Sequence, residues 1–197
     1  MSEKKTHFGR AGEYFAMSEI LLRGWNVAVP VVDVGDDVFV IDDNDKTTWR
    51  LQVKASERFA KEGPADPGAA DSFKFSLSRT QLRTVQPVEL FYMLMMRLGR
   101  GWRFLVIPRE ALSEIRNAFV DAERGGPGRP PVGDATAKTD GLALVVELRN
   151  EEVSGWGVSL GAYLDRWPEQ LAPVVGGPGS VGQAPAQGVG VAANQSD

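Results

Sequence analysis

The sequence predicts an α/β domain over roughly residues 1–172, with a mixed central sheet flanked by helices. Three observations carry that expectation. A segment of helical periodicity, 8–22, is followed by three short β-branched runs separated by turn residues. The run "VELFYMLMMRL", 88–98, is almost wholly apolar and is answered after "GRG" by "WRFLVIP", the pattern of a strand buried on both faces within a hairpin. Finally "PREALSEIRNAFVDAER", 108–124, opens on proline and keeps Leu112, Ile115 and Phe119 on one helical face. At 197 residues and 43% hydrophobic content the chain is long enough for one domain with a sizeable core.

In chain order, Phe8, Ala11, Phe15, Ser18 and Leu22 recur at helical spacing, with Thr6 as the expected cap and Gly24 as the stop. "WNVAVPVVD", 25–33, reads as a strand that Pro30 assigns to an edge or a break. "DVFVID", 37–42, and "TWRLQVKAS", 48–56, read as two more strands joined by the turn residues "DNDK", giving a three-stranded meander. Residues 62–72 have loop composition, and "SLSRTQLRTV" reads as a short helix capped by Ser76 or Ser78. "GLALVVELRN", 141–150, is a further strand, and "LGAYLDRWPEQL", 160–171, is expected to close the domain as a helix. From Pro173 to the end only Asp197 is charged and no aromatic residue occurs, so 173–197 is expected to be a disordered tail, dispensable for folding.

Composition narrows the chemistry. The absence of cysteine excludes disulfides and thiolate metal sites, and the single histidine, His7, excludes the usual zinc constellations. Any metal would be held by oxygen. No run reaches the length of a membrane span, and the opening "MSEKKTHFGR" has no apolar stretch of signal-peptide type, so no membrane association and a cytoplasmic setting are expected. The net charge of −4 argues against indiscriminate polyanion binding, although residues 72–109 hold Lys74, Arg79, Arg83, Arg97, Arg100, Arg103 and Arg109 against the single acid Glu89. Those cations form either one basic face or scattered solvated charges.

The strand 48–56 places Trp49, Leu51, Val53 and Ala55 on one face and Arg50, Gln52, Lys54 and Ser56 on the other. Gln52 and Lys54 then lie about 6.6 Å apart along the strand, on a face expected to be polar. If "DNDK" closes a hairpin that pairs 42 with 47, position 37 falls opposite 52, bringing Asp37 beside Gln52 and Lys54. A carboxylate, an amide oxygen and an ammonium at one end of a sheet is the set needed for phosphoryl hydrolysis assisted by Mg²⁺, which takes hard oxygen ligands and keeps several waters. The other reading of the same residues is an exposed sheet face with ordinary ion pairs and an aspartate-rich turn. Asp36 competes with Asp37 for the metal role, because a one-residue shift at a strand start flips the side chain.

The segment 12–56, "GEYFAMSEILLRGWNVAVPVVDVGDDVFVIDDNDKTTWRLQVKAS", resembles the core of the PD-(D/E)XK nuclease superfamily, in its Gln-x-Lys branch, which includes certain intron homing endonucleases and many bacterial proteins. The shared order is a helix with Gly-Glu, a strand, Gly-x-Asp, a strand and Gln-Val-Lys. The resemblance implies a restriction-endonuclease-like fold and a Mg²⁺-dependent DNA endonuclease, with Mn²⁺ as substitute cofactor. It implies catalytic roles for Glu13, Asp37, Gln52 and Lys54, of which Glu13, Asp37 and Gln52 would hold the metal. Gln52 stands where the superfamily usually has Asp or Glu, which removes one negative charge from the site. Arg79, Arg83 and Lys74, with Lys4 and Lys5 before the first helix, are the expected DNA contacts. A homodimer or dimer of dimers is expected, since two-fold symmetry is the simplest way to cut antiparallel strands with one kind of site. A catalytically silent nuclease-fold module binding nucleic acid or protein, and a structural assembly protein, are the alternatives.

Overall fold

A computed structural model of the chain describes residues 3–32, 35–44, 46–59, 69–85, 87–124 and 141–168. Helix α1 (Glu3–Leu22) leads into the antiparallel meander β1 (Asn26–Ala28), β2 (Val38–Asp42) and β3 (Thr47–Phe59). Then come β4 (Asp71–Ser78), the short helix α2 (Arg79–Arg83), the hairpin β5 (Leu90–Leu98) and β6 (Gly101–Pro108), and α3 (Arg109–Arg124). Strands β7 (Gly141–Arg149), β8 (Glu152–Gly155) and β9 (Val158–Ser159) end in a 3₁₀ turn at Gly161–Tyr163. The sheet is strand-dominated and nearly all antiparallel, and β3 with β5 makes its parallel pair.

Strand β3 belongs to two layers. Along most of its length it pairs with β2 and β5, whereas Arg58 and Phe59 pair with β4, which continues into β7, β8 and β9. Strand β5 lies between the layers and is buried on both faces, which explains its unbroken apolar run. Its Phe91, Met93 and Met95 join Leu51, Val53, Val40 and the α1 residues Ala16 and Ile20 in one core. Its Tyr92, Leu94 and Met96 join Phe73, Phe75 and Leu77 of β4, Leu82 of α2, Leu112 of α3 and the inward face of β7 in the other. The face of β3 that carries Gln52, expected to be polar and open, is therefore roofed by a second layer, and Gln52 and Ser56 are buried.

The hairpin register is the one the turn arithmetic predicts: Asp42 faces Thr47, and Val38 faces Leu51. The first strand is short and ends ahead of Pro30, as a residue without an N–H requires. Four expectations are corrected. Helix α1 starts at Glu3, so Thr6 lies inside it rather than capping it. Its buried stripe is Gly12, Ala16 and Ile20, while Ala11, Ser18 and Leu22 are exposed. Residues 71–78, read as the end of a loop up to 72 and the start of a short helix from 76, form β4, whose alternation of Phe73, Phe75 and Leu77 with Lys74 and Ser76 supplies one wall of the second core. The closing helix does not form: Gly161–Tyr163 make a single 3₁₀ turn, Leu164 bridges to Leu105, and Asp165 takes a left-handed φ of 49° while accepting from the Phe104 N–H at 3.0 Å. A backbone in that conformation, followed by Pro168, cannot continue a helix. The expected tail, 173–197, lies outside the described residues.

Among the described residues no helix is long and apolar enough to cross a membrane.

Candidate active site

The β2–β3 ladder stops at Asp37. The Asp37 N–H makes the last backbone bond, to Leu51 O at 3.0 Å. The next inward N–H on that edge of β3, from Val53, is taken by the Asp37 side chain, with Oδ2 accepting at 2.7 Å. The same oxygen accepts from Gln52 Nε2. A carboxylate that continues a strand ladder cannot rotate freely, so its position is set by the backbone of the neighbouring strand. Lys54, two residues along on the Gln52 face, is half-buried and makes no hydrogen bond or ion pair among the described residues.

Helix α1 carries Glu13. It approaches β3 through Gly12, where a Cβ would lie 2.8 Å from the Cβ of Ala55. Any larger residue would push the helix away from the strand, and by the alternation of β3 this contact sets α1 on the face opposite Gln52 and Lys54. Glu13 accepts from Arg10 NH1 at 2.5 Å, and the Arg10 guanidinium is held above its ordinary pKa by Glu13 first and, more weakly, by Tyr14 and Asp37.

Asp36 and Asp37 part company. Asp36 is buried and forms a bidentate pair with Arg50, from Nε at 2.9 Å and NH2 at 2.8 Å. Its carboxylate is committed to holding the start of β2 against β3, while Asp37 turns to the edge beside Gln52. Two residues that sequence reasoning passed over complete the site. Gln81 of α2 donates through Nε2 to Gln52 Oε1 at 3.0 Å and to the carbonyl of Gly35, and its Oε1 accepts from the fully buried Tyr92 hydroxyl at 3.2 Å. Gly35 has a left-handed φ of 93°, and a Cβ there would meet Gln81 Nε2 at 2.9 Å, so the glycine ahead of Asp37 makes room for this amide. The other is Arg50, a charge on the strand face expected to be polar, whose alternation was legible although its partner was not.

The expected DNA-contact residues divide. Arg79 and Arg83 lie on α2, the helix that carries Gln81, and Ser78 caps it by accepting from the Gln81 N–H at 3.0 Å. Exposed Lys74 donates its backbone N–H to Ser56 Oγ at 3.0 Å, two residues beyond Lys54 on β3. Lys4 and Lys5 fall in the first turn of α1, with side chains outside the described residues. Three of the four remaining cations of 72–109 are engaged elsewhere. Arg103 binds Glu151 and Asp165; Arg109 is buried and donates to Leu82 O at 3.0 Å; Arg97 stacks on Trp102 and donates to Arg100 O.

Among the described residues no group of three His, Cys, Asp or Glu side chains would hold a metal ion. Of the residues expected to hold a metal, Asp37 stands at the β3 edge and Glu13 on α1; carboxylates are the ligand type that a hard divalent cation retaining most of its waters takes. The oxygen of Gln52 is turned towards Gln81 and its nitrogen towards Asp37.

No protein-family model matches the chain, and no curated protein is significantly similar to it. Solved structures with some likeness include the bacterial homing endonuclease I-Ssp6803I, at 19% identity and a TM-score of 0.37 over 56% of this chain and 68% of that one. A likeness of that extent leaves the chemistry to be read from the chain's own side chains.

Proposed function

We propose that the chain is a metal-dependent endonuclease that hydrolyses DNA phosphodiester bonds. The observation that supports this reading best is the placement of Asp37, Gln52 and Lys54 together where β2 leaves β3, with Asp37 bonded to both the Val53 N–H and Gln52; α1, which carries Glu13, packs through Gly12 on the Ala55 face of the same strand. A structural ion pair would leave Lys54 bonded to Asp37; here Asp37 is bonded to the backbone and to Gln52 instead.

Glu13 and Asp37 are the side chains that would hold Mg²⁺, or Mn²⁺ in its place. When bound, the cation supplies Lewis-acid polarisation of the phosphate and lowers the pKa of a water. The protein's own part is positioning and charge. Asp37 is fixed by the Val53 N–H and Gln52, so its geometry does not depend on a flexible loop. Lys54 orients the attacking water and offsets the negative charge that grows on the phosphorane oxygens. Arg79 and Arg83 on α2, with Lys74, hold the phosphate backbone across the β4 side of the site. A homodimer supplies a second site of opposite polarity for the complementary strand.

Incubation of supercoiled plasmid with Mg²⁺, Mn²⁺ or EDTA tests the reading, with nicked or linear product expected for the two metals and none with chelator. A folded protein that cuts no DNA form with either metal would refute it. Salt-dependent DNA binding without cleavage would identify the silent nucleic-acid-binding module instead.

A further inference from the structure

The Gln81 amide is held by a group that cannot reverse its role. A main-chain carbonyl is always an acceptor, so Gly35 O requires the nitrogen of Gln81 to face it. That leaves Gln81 Oε1 for the Tyr92 hydroxyl, and presents the second Nε2 proton to Gln52. Gln52 must then turn its oxygen to Gln81 and its nitrogen to Asp37. Reversing Gln52 alone would set two amide nitrogens against each other, and reversing Gln81 as well would set its oxygen against Gly35 O. Tyr92 lies directly opposite Gln52 in the β3–β5 register and is fully buried, so the far end of the chain of bonds is also anchored.

We propose that Gln81 is a positioning residue that locks Gln52 as a hydrogen-bond donor to Asp37, and that this lock restrains divalent-cation binding at the site. The inference rests on the reading of Asp37 as the metal-bearing carboxylate. With the lock engaged, Gln52 offers N–H groups where a cation needs oxygen, and it draws electron density from the carboxylate that would bind the ion. Releasing Gln81 lets Gln52 rotate about its last side-chain bond and turn its oxygen outward beside Asp37. A purely structural role for Gln81 predicts the opposite sign, since loosening the site would weaken cation binding.

The test is Mn²⁺ affinity of the full chain, by titration calorimetry and by electron paramagnetic resonance, for wild type, Gln81→Met, Gln81→Ala and Gln52→Glu. Two Gln81 variants are used so that one folding failure still leaves a measurement. Either folded Gln81 variant is expected to bind Mn²⁺ about tenfold more tightly, the cost of turning an amide against one or two hydrogen bonds. Gln52→Glu, which brings an oxygen whichever way it turns, is expected to tighten binding as well. If Gln52→Glu tightens binding while the Gln81 variants match or fall below wild type, the lock is overturned and the metal site stands. If no form binds Mn²⁺, the metal site itself is refuted and the lock with it.

Discussion

Replacing Lys54 by alanine should separate chemistry from folding more cleanly than any other change at the site. Lys54 is half-buried and makes no hydrogen bond or ion pair among the described residues, so truncation leaves no partner stranded. The loss is part of an aliphatic stem, about 1 kcal/mol of stability or less. The kinetic cost is larger. An ammonium about 4 Å from the developing phosphorane charge interacts with about 4 kcal/mol at an effective dielectric of about 20. Hydration of the emptied space recovers part of this, so a loss of at least about 2.7 kcal/mol, or a hundredfold in the cleavage step, is expected. Single-turnover plasmid cleavage at saturating protein reads the rate, filter binding in the absence of metal reads DNA affinity, and thermal unfolding reads stability. A variant that cleaves within about threefold of wild type would refute the assignment of Lys54. So would one that loses DNA binding and turnover together.

Asp36→Asn should destabilise the fold by about 3 kcal/mol, because it leaves the Arg50 guanidinium without its bidentate partner in a buried place; Asp37→Asn, which keeps an oxygen to accept from the Val53 N–H and Gln52 but loses the charge, should lower the melting temperature less and abolish turnover, and the reverse pattern in calorimetry and cleavage would exchange their roles. Glu151 is held below the usual carboxylate range by Arg103, first through their hydrogen bonds and then through charge. A depressed folded pKa stabilises above the unfolded value, and that contribution disappears as pH falls through the folded one, so a carboxyl NMR titration should place Glu151 low in wild type and at its ordinary value in Arg103→Met. Changing Arg79 and Arg83 together to Gln should weaken DNA binding and reduce the slope of log K against log salt by up to about 1.8, without slowing cleavage at saturating DNA; an unchanged slope would move the phosphate contacts elsewhere.

The hairpin was legible because its determinants are local. Period-two alternation on both strands and a turn of known length leave one register, and that register alone places Asp37 against Gln52. The doubly buried β5 was legible for the same reason, an apolar run too short to span a membrane. What escaped is set by distant parts of the chain. Nothing near Gln81 announces that its amide reaches Gly35, 46 residues earlier, since Gln on a short helix is an ordinary surface residue. Asp36 and Asp37 differ in which side of a strand start each faces, and the pairing of Asp36 with Arg50 could not be read from the local sequence. The segment 160–168 has helical spacing, but Asp165 gains more from holding Arg103 and the Phe104 N–H than from extending a helix in which Pro168 would soon break the bonding. Strand β4 was hidden by its glycine- and proline-rich approach.

The Asp37–Val53 bond bears on the order of assembly. Asp37, Gln52 and Lys54 all lie within one hairpin closed by a four-residue turn, so their mutual placement depends on contacts of short sequence separation, which form in microseconds. Glu13 and Gln81 arrive only when α1 and α2 pack. The hairpin half of the candidate site is therefore built early and retained late: in hydrogen exchange the Val53 amide should be among the slowest to open, while the amides of α2 exchange through smaller, local openings that release Gln81 and leave Asp37 in place.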